Sequence, residues 1–247
     1  MIVMEYIEVF FRVPGLIPFI VITTIGYYAF RQYVRNKVAI LDQMYKYMPT
    51  STKLTGAEAT RKLLDANELT KVCVEETGGF LSDHYDSYAQ AIRLSTDHFH
   101  KSTLLGIAIA AHEVGHAIQN KEDMPAFYFR QNAFSFVMFI KKARIDNFLL
   151  GLSGVLLVFA VLTEFAFASL MLIGGYLSLL VGLGLPLFYT LVTLKVEADA
   201  SARAIDELQR LSMITPEEKP VVMKILAAAK LTYVWSIIKT SFGESGI

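Results

Sequence analysis

One cysteine in 247 residues, Cys73, leaves no intramolecular disulfide and no zinc site built from thiolates. Flanked by Val72 and Val74, that thiol is expected to be a small apolar core group and not a nucleophile. Neither sign of charge is in excess: 23 basic and 23 acidic side chains give a net charge of zero. A nucleic-acid partner calls for a basic face, and this balance gives it no support. Internal repeats and low-complexity segments are also lacking. The first long apolar run has only Arg12 as a basic residue before it and no small-x-small cleavage site after it, so it reads as an uncleaved anchor.

Apolar residues are what the chain has in plenty. They make up 54% of it, and the mean hydropathy of +0.44 is high for a soluble protein. Residues 15–30 carry no charge and predict a first membrane-spanning helix, with Pro14 and Pro18 at its start and Arg31, Arg35 and Lys37 after it. From 148 to 194 there are 47 residues with one formal charge, Glu164. Two bilayer crossings need about 40 residues and a turn, so this stretch predicts a transmembrane hairpin turning between residues 163 and 175. Lys141, Lys142 and Arg144 precede it and Lys195 follows it. Basic residues thus flank the ends near the middle of the chain, which puts that part in the cytoplasm and the N-terminus outside.

The stretch that carries chemistry is residues 110–119, which contain His112-Glu113-Val114-Gly115-His116, the pattern H-E-x-x-H. On a helix, residues four apart share a face, so His112 and His116 can turn two imidazoles toward one metal ion. Glu113 then lies beside the water that such an ion holds and can act as general base. Residues 104–111 carry no charge, so two histidines and a glutamate on this helix would be costly to bury unless bound to metal. Two imidazoles need a third ligand, with the fourth position open for catalysis. The hairpin returns the chain beside the motif helix at residues 196–204, where Glu197 and Asp199 both qualify chemically. Two residues apart, they do not share a helical face. One would ligate; the other would cap, pair with Arg203 or orient a histidine. Glu122 is a weaker alternative, because Gln119 stands where a turn-making glycine would be needed.

Between anchor and motif, residues 55–64 read as an amphipathic helix capped by Thr55, Val72 to Val74 as a strand and Thr77 to Gly79 as a turn. Residues 81–87 include His84, Tyr85 and Asp86 and are rich in proton donors and acceptors. Residues 91–95 read as a strand, and as the exposed edge along which a substrate would lie. His98 and His100 are open to three readings, as ligands, proton donors or solvated loop residues, and each taken singly reads as the last. Near the end, Thr215 and Pro216 read as a helix start. Residues 221–242 are interrupted by Lys224, Lys230 and Lys239, which favours a helix packed on the catalytic domain or lying at the interface over a further span.

Taken together these stretches resemble the bacterial neutral membrane zinc metallopeptidases of the YugP type. The resemblance rests on residues 54–58, 81–86, 92–95, 110–119, 196–204 and 228–234, in similar order and spacing, and covers nearly the whole chain. It implies a zinc-dependent membrane peptidase of the glu-zincin kind, with the family's third ligand, a glutamate, falling on Glu197. The family alternates Asp with Asn at the position of Asp199, which makes Asp199 the poorer ligand. Two departures stand out: Ala198 where an aromatic residue is usual, and Ser87 where Pro often follows.

The expected fold is α+β and mainly helical: a small zincin-like metalloprotease domain fused to transmembrane helices. Its parts are an anchor at 1–37, the zincin-like domain at 38–147, the hairpin at 148–194 and helices at 195–247 that complete the zinc site. The expected metal ligands are His112, His116 and Glu197, with Glu113 as base and His84 or Tyr85 as donor to the developing oxyanion. The expected partners are a protein or peptide substrate and the lipid membrane. The alternatives are a zinc-stabilised membrane scaffold without catalysis and a metal-dependent hydrolase of another class.

Overall fold

A computed structural model gives the structure for residues 47–79, 82–142, 145–162 and 168–241, with short helical stretches between 25 and 36. The N-terminal anchor expected at 15–30 lies almost wholly outside the described residues. Helix α1 spans Gly56–Ala66; Thr55 caps it and Glu58 reaches back to the Thr55 N–H, a capping box that satisfies two otherwise unpaired donors. Its buried residues Ala59, Leu63 and Leu64 face the core. Strand β1 covers Cys73–Thr77, β2 covers His84–Asp86 and β3 covers Ala91–Ser95. The sheet order is β1-β3-β2, with β1 parallel and β2 antiparallel to β3.

Two sequence expectations change here. Residues 91–95 form the central strand and not the edge; Ala91, Ile92, Leu94 and Ser95 are buried, while Arg93 between them is half-buried and pairs with Glu75 and Asp86 on the two flanking strands. The edge beside it is β2. Its polar His84-Tyr85-Asp86 shows no apolar alternation, and its strand state comes from pairing with β3. Cys73 is exposed at the start of β1, because the adjacent Val72 takes the core position.

Short helix α2 (Thr96–His100) leads to the motif helix α3 (Leu104–Lys121), which Thr103 caps by accepting the Gly106 N–H. All residues from Ala110 to Gln119 on α3 are buried. A helix apolar nearly all round must be enclosed, and α1, β2 and the helices that follow pack against it. Helix α4 spans Pro125–Lys142, α5 Ile145–Leu162 and α6 Ala168–Leu179. One π-helical segment, Leu180–Gly184, joins α6 to the 26-residue helix α7 (Leu185–Arg210). Helix α8 is Lys219–Ser241, and Val222, Ile225, Leu226 and Ala228 on its first half join the core, as a packed final helix requires.

Residues 148–194, where a transmembrane hairpin is expected, include the packed pair α5 and α6, and residues 163–167 between them lie outside the described residues. Among the described residues no helix is long and apolar enough to cross a membrane. The described structure therefore supports an α+β, mainly helical fold with a helical hairpin and does not supply the fused transmembrane helices of the sequence expectation.

Candidate metal centre

Helices α3 and α7 cross where the side chains are smallest. A Cβ on Gly115 would stand 2.5 Å from the Ala200 carbonyl oxygen, so only glycine allows this approach. On α7, Val196, Ala200, Ala204 and Leu208 face inward at helical spacing. Glu197 lies on the same side, fully buried, and the adjacent Ala198 is exposed, so the missing aromatic leaves no gap in the core.

His112, His116 and Glu197 each offer one ligand atom, and these atoms lie within 4.8 Å of one another. His112 Nε2 is 3.0 Å from Glu197 Oε2, and His116 Nε2 is 3.5 Å from Glu197 Oε1. Tetrahedral zinc with bonds of about 2.0–2.2 Å spaces its ligand atoms at similar distances. The outer nitrogens are engaged as well: His112 Nδ1 meets Ser201 Oγ at 3.2 Å, and His116 Nδ1 meets Gln119 Oε1 at 2.9 Å.

The Gln119 amide determines the His116 tautomer. Its Nε2 donates to the Val196 carbonyl and to Asp199 Oδ2, both at 2.8 Å. Its oxygen therefore faces the imidazole, and His116 Nδ1 must carry the hydrogen that it accepts. In the neutral ring Nε2 then carries the lone pair. That atom is buried and has no hydrogen-bond partner among the described residues, the state of a ligand directed at a cation. The donor set thus fits a divalent metal. Asp199 also accepts from Arg203 Nε at 2.6 Å, and Arg203 reaches Glu122 at 2.8 Å. Asp199 is placed to hold Gln119, and Glu122 stands at the surface end of the chain of contacts.

Burial alone would push the Glu197 carboxyl up, but His116, His112 and Arg130 outweigh it and hold the group far below the usual carboxylate range. Burial alone would pull the His112 imidazole down; the Glu197 hydrogen bond and the Glu113 and Glu197 charges leave it above its ordinary value. Metal uptake at His112 therefore competes with a proton.

Glu113 is buried on α3, and its Oε2 accepts the Tyr85 backbone N–H at 2.9 Å. That N–H points away from β3, so the unpaired edge of β2 faces the motif helix. The Tyr85 hydroxyl accepts from Asn120 at 3.0 Å. The exposed His84 ring places Nδ1 2.7 Å from the Ser82 carbonyl. Neither side chain joins the His-His-Glu group. His98, expected in solvent, is buried against Asp83 and Ser95, while His100 is exposed and paired with Glu76.

Sequence reasoning missed two contacts. Ser201 stood in the quoted motif without a role. Arg130, whose Nη1 donates to Glu197 Oε1, is the lone cation in an aromatic stretch after the motif helix, and that isolation was the available signal.

Residues 17–242 match a family described as "Putative neutral zinc metallopeptidase". The chain is 35% identical over 232 residues to "Putative membrane protease YugP" of Bacillus subtilis (strain 168), covering 91% of each protein. No solved structure matches.

Proposed function

We propose, since the chain belongs to the family of neutral zinc metallopeptidases, that it is a membrane-anchored zinc endopeptidase with Glu113 as its general base. The cofactor is zinc, and the His-His-Glu group can hold a metal ion. In this reading His112 Nε2, His116 Nε2 and Glu197 are the ligands. Bound there, zinc would supply Lewis acidity toward a peptide carbonyl and an acidified water. Glu113 accepts a proton from the attacking water and returns it to the leaving nitrogen. An extended peptide added to the outer edge of β2 would run past Glu113, because the Tyr85 N–H on that edge already touches the carboxylate. Tyr85 or His84 would supply the donor to the developing oxyanion, turning from Asn120 or Ser82 to do so.

Anchoring belongs to the same proposal, through the expected span at 1–37 and the hairpin at 148–194. It is supported by the word "membrane" in the relative's name and by large apolar side chains left exposed on α4 to α7, among them Phe134, Phe139, Phe148, Leu177, Phe188 and Leu191. The flanking basic residues support a zinc-binding domain on the cytoplasmic side.

The observation that carries the reading is the buried convergence of His112, His116 and Glu197 from two helices, with Glu113 beside them. Glu113→Gln is expected to keep the wild-type zinc content and lose about 10²–10⁴-fold of casein-type cleavage. Retained turnover would remove Glu113 from the mechanism, and zinc without cleavage in the wild type would favour the scaffold.

A further inference from the structure

Glu197 is fully buried, and each of its oxygens has a distinct neighbour. Oε2 faces His112 Nε2. Oε1 accepts from Arg130 Nη1 and lies 3.5 Å from the orphaned His116 Nε2. Arg130 comes from neither the motif helix nor α7 but from α4, which starts at Pro125 just after α3 ends. Phe127 anchors that start: it is buried, its ring centroid is 6.1 Å from that of His116, and the Arg130 guanidinium lies 6.0 Å over it. One aromatic ring therefore contacts both a proposed ligand and the cation bound to another.

We infer that Arg130 is a positioning residue of the zinc site, clamping the Glu197 carboxylate so that it meets the metal in a fixed orientation. The inference rests on the zinc-site reading above. Without the clamp the carboxylate could rotate about its last bond, and that change weakens it as a ligand. The contact coexists with ligand-atom spacings of 3.0 and 3.5 Å around Glu197, so it belongs to the coordination-ready arrangement. A guanidinium suits the task better than an ammonium. It is planar, stacks on an aromatic face and holds its charge when partly buried.

The test is the zinc dissociation constant of detergent-purified full chain, by chelator competition, for wild type, Arg130→Lys, Arg130→Gln and Arg130→Ala. The cobalt-substituted d–d absorption is recorded on the same samples. Arg130→Gln and Arg130→Ala are expected to bind zinc about 10–100-fold more weakly, Arg130→Lys to recover part of the loss, and the cobalt bands to shift as the carboxylate reorients. Affinity that is unchanged or tighter in the three variants, with unaltered cobalt bands, would overturn the clamp. Should Arg130→Ala fail to fold, the Lys and Gln variants decide the matter. A wild type that binds zinc through Glu197 but cleaves nothing defeats the peptidase reading and leaves this inference to be decided by affinity. Arg130 variants that bind zinc normally while Glu113→Gln behaves as expected defeat this inference alone.

Discussion

Single residues around the site act through partners that sequence spacing does not display. Asp83 shows this most clearly. Its side chain is 5% exposed and accepts the Ser95 N–H and hydroxyl, with His98 Nδ1 at 3.0 Å, tying the start of β2 to the end of β3. Burial alone would raise its pKa, but His98 and the Ser95 donors outweigh burial and leave the carboxyl below the usual aspartate range. The folded chain thus holds this proton less firmly than the unfolded chain. The stability from Asp83 is complete above the ordinary aspartate pKa of about 3.9 and is lost as pH falls through the lower folded value. Asp83→Asn is expected to cost about 1–3 kcal/mol at pH 7 and to flatten the acid limb of the stability profile. Urea unfolding at neutral and acid pH measures both, and an unchanged acid limb would take Asp83 out of the account. At this scale the sequence displayed the pair His112 and His116, because their spacing alone puts them on one face. It misassigned His98, because nothing in Thr96-Asp97-His98-Phe99-His100 reveals an aspartate fifteen residues back that would draw it inside.

Elements were legible where their signal is local. The Thr55 cap and the amphipathic pattern of residues 55–64 predicted α1, and Ala91-Ile92-Arg93-Leu94-Ser95 read as the strand that became β3. Which strand would be the edge was not legible, since sheet order depends on pairing between segments and β2 has a weak pattern of its own. The approach of α3 to α7 was equally hidden: Gly115 inside the motif reads as a helix-weakening residue until Ala200 is placed against it. Gly115→Ala would improve helix propensity, yet its methyl group would meet backbone atoms of Ala200 at 2.5 and 3.1 Å, which cannot rotate away. The variant is expected to push α7 from α3 and lose about 1–3 kcal/mol of stability. It should also lower zinc affinity, because Glu197 rides on α7. A thermal melt with and without zinc separates the two losses, and wild-type affinity in Gly115→Ala would show that the crossing tolerates the methyl group. The same reasoning explains why Gln119 stands at the end of the motif. One turn of α3 beyond His116, its amide joins that histidine to Val196 and Asp199 on α7, so the tautomer of a ligand depends on the packing of two helices.

For the molecule as a whole, the connection between motif and third ligand is the organising problem. Glu197 is separated from the motif helix by α4, the α5–α6 pair and the first turns of α7, yet ends up buried against His112. The short α3–α4 link delivers Arg130 to the same carboxylate. If the hairpin is embedded in a bilayer, the lipid holds α7 at its apolar end while α3 holds it at Ala200, and the metal group lies between two fixed points. The exposed Phe148, Leu177, Phe188 and Leu191 would then be satisfied by lipid; in water they would form an apolar surface prone to association. Full-length protein is expected in the membrane fraction, resistant to alkaline carbonate and released by detergent. A tag placed after residue 247 should be cut by external protease only in opened spheroplasts or inverted vesicles, as a cytoplasmic zinc domain requires. Carbonate-soluble protein would defeat the anchoring proposal while leaving the metal centre intact, because every proposed ligand lies on α3 or on the inner part of α7. Removal of the tag from intact spheroplasts would reverse the orientation and put the zinc site on the outer face.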